Sequence, residues 1–285
     1  MSLLLNPDEL AEGRNNDALV IVDCRFNLLV PDAGRQAWEA GHIPGAYYAD
    51  LDKDLAGAVT ATSGRHPLPD PGVFASLLGS WGVTPETTVI AYDDAGGAVA
   101  ARLWWLLRWV GHQHAGLLDG GWQAWQAAGQ PTDTSHPVLV AGLYPVTPAV
   151  MPVISAGDVE RGLANAELVL IDARDARRFA GEAEPIDTRA GHIPGTLNRP
   201  FQANLNDDRQ FLSPDVLHRE FAELLADGEG RQLACMCGSG VTACHNLFAM
   251  ERAGIKDGSY APAALYVGSW SEWIRSADRP CEPSS

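Results

Sequence analysis

Long apolar runs are missing from this 285-residue chain; its longest fall short of the roughly 20 residues that span a bilayer, so no transmembrane helix is expected. Positive charge is also scarce. Twenty Lys and Arg stand against 36 Asp and Glu, a formal net charge of −16, which argues against nucleic acid or an anionic membrane as partner. The five cysteines (Cys24, Cys235, Cys237, Cys244 and Cys281) are an odd number without a disulfide-framework spacing. No His/Cys set with zinc-like spacing accompanies them, so neither a metal nor another cofactor is expected. The N-terminus carries neither a basic n-region nor a long apolar h-region, and the expected setting is soluble, reducing and cytoplasmic. The acidic balance adds one demand: if the substrate is an anion, a few local Arg residues must hold it against an unfavourable overall field.

What is present is enough apolar material, 46% of residues, for two cores, and a length that suits two domains. An internal repeat makes that division specific. Val20-Ile21-Val22-Asp23-Cys24-Arg25 returns as Val169-Leu170-Ile171-Asp172-Ala173-Arg174, and Gly41-His42-Ile43-Pro44-Gly45 returns as Gly191-His192-Ile193-Pro194-Gly195. Thr88 to Tyr92 precedes Asp93 much as Leu233 to Met236 precedes Cys237, and Gly120-Gly121-Trp122-Gln123-Ala124-Trp125 matches Gly268-Ser269-Trp270-Ser271-Glu272-Trp273. Four matches in one order imply duplication. Each half alternates short Val/Ile/Leu runs with amphipathic segments at 71–81, 98–110, 214–226 and 242–252, the α/β pattern of a mainly parallel sheet flanked by helices. The Pro-rich stretch 135–152 reads as a linker between a domain at 1–134 and another at 153–285.

Chemistry concentrates at Cys237-Gly238-Ser239-Gly240-Val241-Thr242, between a strand-like run and a helix-like one. Two glycines at alternate positions let successive N–H groups converge on one point, and the N-terminus of the following helix favours negative charge there. Such a loop suits a thiolate or a persulfide anion; the plain alternative is a buried cysteine on an ordinary glycine turn. A cysteine-dependent phosphatase needs an Arg immediately after its loop to grip phosphate oxygens, and here that position is Ala243.

The run Cys-Gly-Ser-Gly-Val-Thr resembles the active-site loop of the 3-mercaptopyruvate sulfurtransferases, within the two-domain rhodanese family, and the resemblance extends over nearly the whole chain. It implies tandem rhodanese-like domains, an inactive first one with Asp93 and Asp94 where the second has Cys237, and a catalytic second one. It makes Cys237 the sulfur-carrying nucleophile and Gly238, Ser239, Gly240, Val241 and Thr242 its amide cradle. It further implies a relay of Ser239 with His66 and Asp52 from the first half. The family's Glu-Pro-Arg segment reads Glu184-Pro185-Ile186 here, a departure that bears on the donor substrate rather than on persulfide chemistry. Arg189, just before Gly191, is then the candidate clamp for a donor carboxylate or sulfonate, because Arg presents a planar two-donor fork. The expected reaction moves sulfane sulfur from 3-mercaptopyruvate through a Cys237 persulfide to cyanide, a thiol or a thioredoxin-like protein. Thiosulfate as donor, and a persulfide relay with little turnover of small donors, are the alternatives. His42, His192, Asp172 and Arg174 recur in both halves, or have counterparts there, and are expected to be structural.

Overall fold

A computed structural model of the chain describes residues 3–14, 16, 18–147, 151–228, 230–256 and 262–283. The first half supplies strands β1 (Leu3–Leu5), β2 (Leu19–Asp23), β3 (Tyr47–Tyr48), β4 (Thr88–Tyr92) and β5 (Ala115–Leu118), joined in the order β1-β5-β4-β2-β3. The second supplies β6 (Val153–Ile154), β7 (Leu168–Asp172), β8 (Leu197–Asn198), β9 (Gln232–Met236) and β10 (Ala264–Tyr266), in the order β6-β10-β9-β7-β8. Position by position the two orders are the same, and every pairing is parallel. The sequence duplication is therefore a duplication of topology.

The central strands are continuous aliphatic runs because both faces are covered, as parallel sheets require. Helices Pro71–Ser80 and Ala100–Trp109 in the first half, and Pro214–Leu224 and Ala243–Arg252 in the second, fall within the amphipathic segments read from the sequence. Pro at the first turn with an Asp70 or Ser213 cap starts two of them. Trp104 and Trp105 are fully buried on Ala100–Trp109, and Trp105 stacks on Trp109 at 6.1 Å, so this aromatic cluster is packing.

The chain divides into two compact units whose boundaries cross the two halves of the sequence. One comprises Met1–Gly57, Leu68–Val150 and Asp207–Phe211; the other comprises Ala58–Pro67, Met151–Asn206 and Leu212–Ser285. Residues 135–147 of the expected linker lie along the first unit: Val140 N–H donates to Ser80 O at 2.9 Å, and Tyr144 is buried. Residues 148–150 of that stretch are outside the described ones.

The repeated Asp-x-Arg motif is a buried brace in each unit. Arg25 Nη2 donates to Asp23 Oδ2 at 2.6 Å and to Gly41 O at 2.7 Å, and Arg174 Nη2 donates to Asp172 Oδ2 at 2.7 Å and to Gly191 O at 2.8 Å. Each guanidinium also covers an indole, Trp122 at 4.5 Å and Trp270 at 4.6 Å. His42 Nδ1 lies 2.7 Å from Trp38 O and His192 Nδ1 lies 2.9 Å from Phe179 O. These four-residue sets pin the Gly-His-Ile-Pro-Gly turn to the end of β2 or β7, which accounts for their recurrence. No described helix is long and apolar enough to cross a membrane.

Candidate active site

Register puts the two loops of interest at equivalent places. Asp23 pairs with Tyr92 at the end of β2 and β4, and Asp172 with Met236 at the end of β7 and β9, so Asp93 and Cys237 each begin the loop just beyond the carboxyl edge of a central strand. That edge is where open parallel sheets place their sites.

In the second unit the chain leaves β9, turns through Cys237–Thr242 and enters Ala243–Arg252. Cys237 is 2% exposed, and its Sγ accepts the Gly240 N–H at 3.2 Å. The loop is tied down from behind: Cys237 N–H donates to Ser269 Oγ at 3.1 Å, Trp270 N–H to Cys237 O at 3.0 Å and Ser271 N–H to Gly238 O at 2.9 Å. Gly240 is obligatory on two counts. Its φ is +77°, and a Cβ there would stand 2.5 Å from Val267 O. Val241 is buried, and Thr242 is the residue from which the helix starts, with no side-chain cap of its own.

The first unit shows what such a loop binds. Asp93 fills its own loop with its carboxylate: Oδ1 accepts from Ala95 and Gly97 N–H, and Oδ2 from Val99 and Ala100 N–H, all at 2.8 Å. Four amides on one carboxylate make an anion nest at the start of Ala100–Trp109, occupied from within. Where the first unit has an anion covalently built in, the second has the Cys237 sulfur.

Ser239 and His66, far apart in sequence, meet in the second unit, with Nδ1 2.7 Å from Oγ and both residues buried. His66 is there because 58–67 folds as part of this unit, fixed by Arg65 N–H donating to Ser271 Oγ at 3.0 Å. Asp52 belongs to the first unit, in a turn where its N–H donates to Asp50 Oδ1 at 3.0 Å.

Arg189 takes the Trp270 indole N–H on its backbone carbonyl at 2.9 Å. Its charge acts on the Cys281 thiol, opposing the rise that burial imposes there. Two other guanidiniums stand nearest Gly238: a Cβ on that glycine would lie 3.0 Å from Arg65 Nη2 and 3.6 Å from Arg178 Nη1. Arg178 chelates Glu184 at 2.8–3.2 Å and reaches Asp187 Oδ2 at 3.1 Å, while Arg65 Nη1 pairs with Asp187 Oδ1. Burial alone would raise the Glu184 carboxyl, but Arg178 and the N–H groups of Asp187 and Ile186 hold it below its ordinary value. The sequence alone points to none of Arg65, Arg178 and Asp187, and to Glu184 only as the first residue of the Glu184-Pro185-Ile186 segment. The one available signal was two basic residues inside Glu/Asp-bearing loops, which any solvated surface also shows.

The other thiols are set apart. Cys235 is fully buried, with its Sγ 3.7 Å from Met250 Sδ, and burial, then the neighbouring Cys244 and Cys237, push it far above the usual thiol range. Cys24 is raised likewise by burial and by Asp23, Asp93 and Asp54. Cys244 lies against Gly240 O at 3.4 Å.

Comparison with known proteins agrees with this geometry. The profile of the rhodanese-like domain matches residues 6–128 and again 155–276. A Pseudomonas aeruginosa protein named "Probable 3-mercaptopyruvate sulfurtransferase" is 44% identical over 279 residues, 97% of this chain and 96% of that one. The thiosulfate sulfurtransferase of Mus musculus is 29% identical over 275 residues, 95% of this chain and 90% of that one. The solved 3-mercaptopyruvate sulfurtransferase of Leishmania major superposes with a TM-score of 0.82 at 30% identity, covering 95% of this chain and 74% of that one. With both repeats matched by one profile and relatives aligned across almost the full length, the chain belongs to the rhodanese-like family as a tandem, two-domain member.

Proposed function

We propose that the chain is a sulfurtransferase that takes sulfane sulfur from 3-mercaptopyruvate onto Cys237 and passes it to a thiophile: cyanide, a thiol or a thioredoxin-like protein, in the cytoplasm. The observation that carries this reading is the Cys237 sulfur accepting the Gly240 N–H in a loop whose twin, in the first unit, holds a carboxylate on four amides. In the first step the Cys237 thiolate attacks the donor sulfur; the S–S bond forms, the C–S bond breaks, and its electron pair leaves as the enolate of pyruvate. The proton that was on the donor sulfur ends on the pyruvate methyl carbon, and Cys237 is left as Cys–S–S⁻. The larger anion extends toward the N–H groups of 238–242, where each charge-assisted bond contributes about 1.5–3 kcal/mol. In the second step the thiophile attacks the outer sulfur and Cys237 returns as thiolate, a ping-pong sequence.

Ser239 and His66, 2.7 Å apart, are suited to polarising the donor carbonyl and moving the proton from sulfur to carbon, with Asp52 as the proposed third member. The first unit serves as scaffold in this reading, since its loop carries no thiol. Intact mass after brief incubation with mercaptopyruvate, and separately with thiosulfate, followed by peptide mapping, tests the proposal. One added sulfur on the Cys237 peptide from mercaptopyruvate is the expected result. Loading from thiosulfate alone reassigns the donor, and loading from neither leaves a relay fed by a partner persulfide.

A further inference from the structure

We infer that Arg65, and not only the basic residues of the 174–189 segment, recognises the anionic group of the sulfur donor, with Asp187 as the residue that positions it; the inference rests on the sulfurtransferase reading above. Four observations, all within the second unit, lead there. Arg65 stands at the mouth of the nucleophile loop, with Nη2 3.0 Å from the point a Gly238 Cβ would occupy, closer than either terminal nitrogen of Arg178. Its donors are unspent. Nη1 pairs with Asp187, whereas Nε is buried without a hydrogen-bond partner, so the edge formed by Nε and Nη2 offers two parallel N–H groups to a ligand. Arg178, by contrast, has Nε and Nη2 committed to Glu184 and Nη2 also to Asp187. Finally, Arg65 is held but not sealed: its side chain is 25% exposed, while Asp187, which takes one guanidinium on each carboxylate oxygen, is 4% exposed.

The charge count sharpens the role. Three guanidiniums, Arg65, Arg174 and Arg178, face three carboxylates, Asp172, Glu184 and Asp187, so the cluster is neutral before a donor arrives. Attraction for an anion therefore comes from the directed donors of Arg65 and not from an excess of positive charge. The ligand class that fits is an oxyanion a short distance from the transferable sulfur, met both by the carboxylate of mercaptopyruvate and by the sulfonyl oxygens of thiosulfate. Ile186 stands where an Arg is usual in the mercaptopyruvate enzymes the loop resembles, and Arg65 restores a second fork from a different stretch of chain.

The test uses the full chain with Arg65→Gln and Arg65→Lys, and compares alkylation of Cys237 by anionic iodoacetate with that by neutral iodoacetamide, read by peptide mass. Arg65→Gln is expected to cut the iodoacetate rate about tenfold relative to iodoacetamide, whose rate also reports that the loop is intact. In steady state, KM for mercaptopyruvate and for thiosulfate rises 10- to 100-fold with a smaller change in kcat; Arg65→Lys, which keeps the charge and loses the fork, recovers part of the alkylation ratio and little of KM. An unchanged iodoacetate-to-iodoacetamide ratio overturns the inference. So does an equal fall for both reagents, which would make Arg65 a support of the loop. Failure of both donors to load sulfur in the parent, with the alkylation ratio still dependent on Arg65, would instead remove the proposed function and leave the anion site standing.

Discussion

Single residues carry the chemistry. Cys237→Ser is expected to abolish sulfur loading, whereas Cys24→Ser, Cys235→Ser and Cys244→Ser retain most of it; loss on Cys235→Ser with Cys237→Ser still active would show that the wrong thiol had been chosen. The raised Cys235 thiol gives a second readout of the same distinction: Cys235 should resist alkylation in the folded protein and react only after denaturation. Glu184 sets an acid limit. Its carboxyl is held below the ordinary value of 4.5, so its stabilising contribution is complete above that pH and is lost as the pH falls through the depressed value. The urea midpoint should therefore drop below about pH 4.5, and Glu184→Gln should flatten that part of the profile. The thiol loop was legible in the sequence because a six-residue glycine-bearing motif is a local signal; the pairing of Ser239 with His66 was implied only by the family resemblance, since nothing local joins residues so far apart in the chain. The Arg65–Asp187–Arg178–Glu184 cluster was not legible, since loop charges have no periodicity and their partners are fixed only by folding.

At the level of elements, the two strand–loop–helix units differ in how the nest is filled. Asp93→Ala empties the first, leaving four N–H groups that the carboxylate had satisfied. With about 1.5–3 kcal/mol per charge-assisted bond and partial rescue by water, a loss on the order of 3 kcal/mol in unfolding free energy is expected by urea titration. Sulfur loading of Cys237 at low temperature should survive that change. Gly240→Ala should act oppositely, abolishing loading, because a side chain is strained at φ +77° and its Cβ meets the Val267 carbonyl. The parallel α/β class and the principal helices could be read from the chain because the aliphatic runs, the amphipathic segments and the repeat all agreed, whereas the strand order came only with the folded sheet. In the stretch 135–152, expected to link the two domains, prolines suppress helix while residues 135–147 hydrogen-bond along the first unit.

The whole molecule is strongly acidic, and that affects how an anion arrives. With a net charge of −16 and a neutral guanidinium–carboxylate cluster at the loop, an anionic donor approaches against the field. Raising ionic strength from about 0.02 to 0.2 M should therefore increase kcat/KM for mercaptopyruvate roughly two- to fivefold by screening, the reverse of a positively steered enzyme. A decrease would show that local positive charge dominates after all.

No sequence signal marks which unit a loop will join. Segment 58–67, which bears Arg65 and His66, is anchored at both ends in the first unit's chain but folds with the second. Melting the first unit thus frees the tether that holds those two side chains, even while the sheet around Cys237 stays folded. Shelf life of the activity is consequently expected to follow whichever unit gives way sooner, which makes a repeat with no thiol in its loop a fastening for the one that has it.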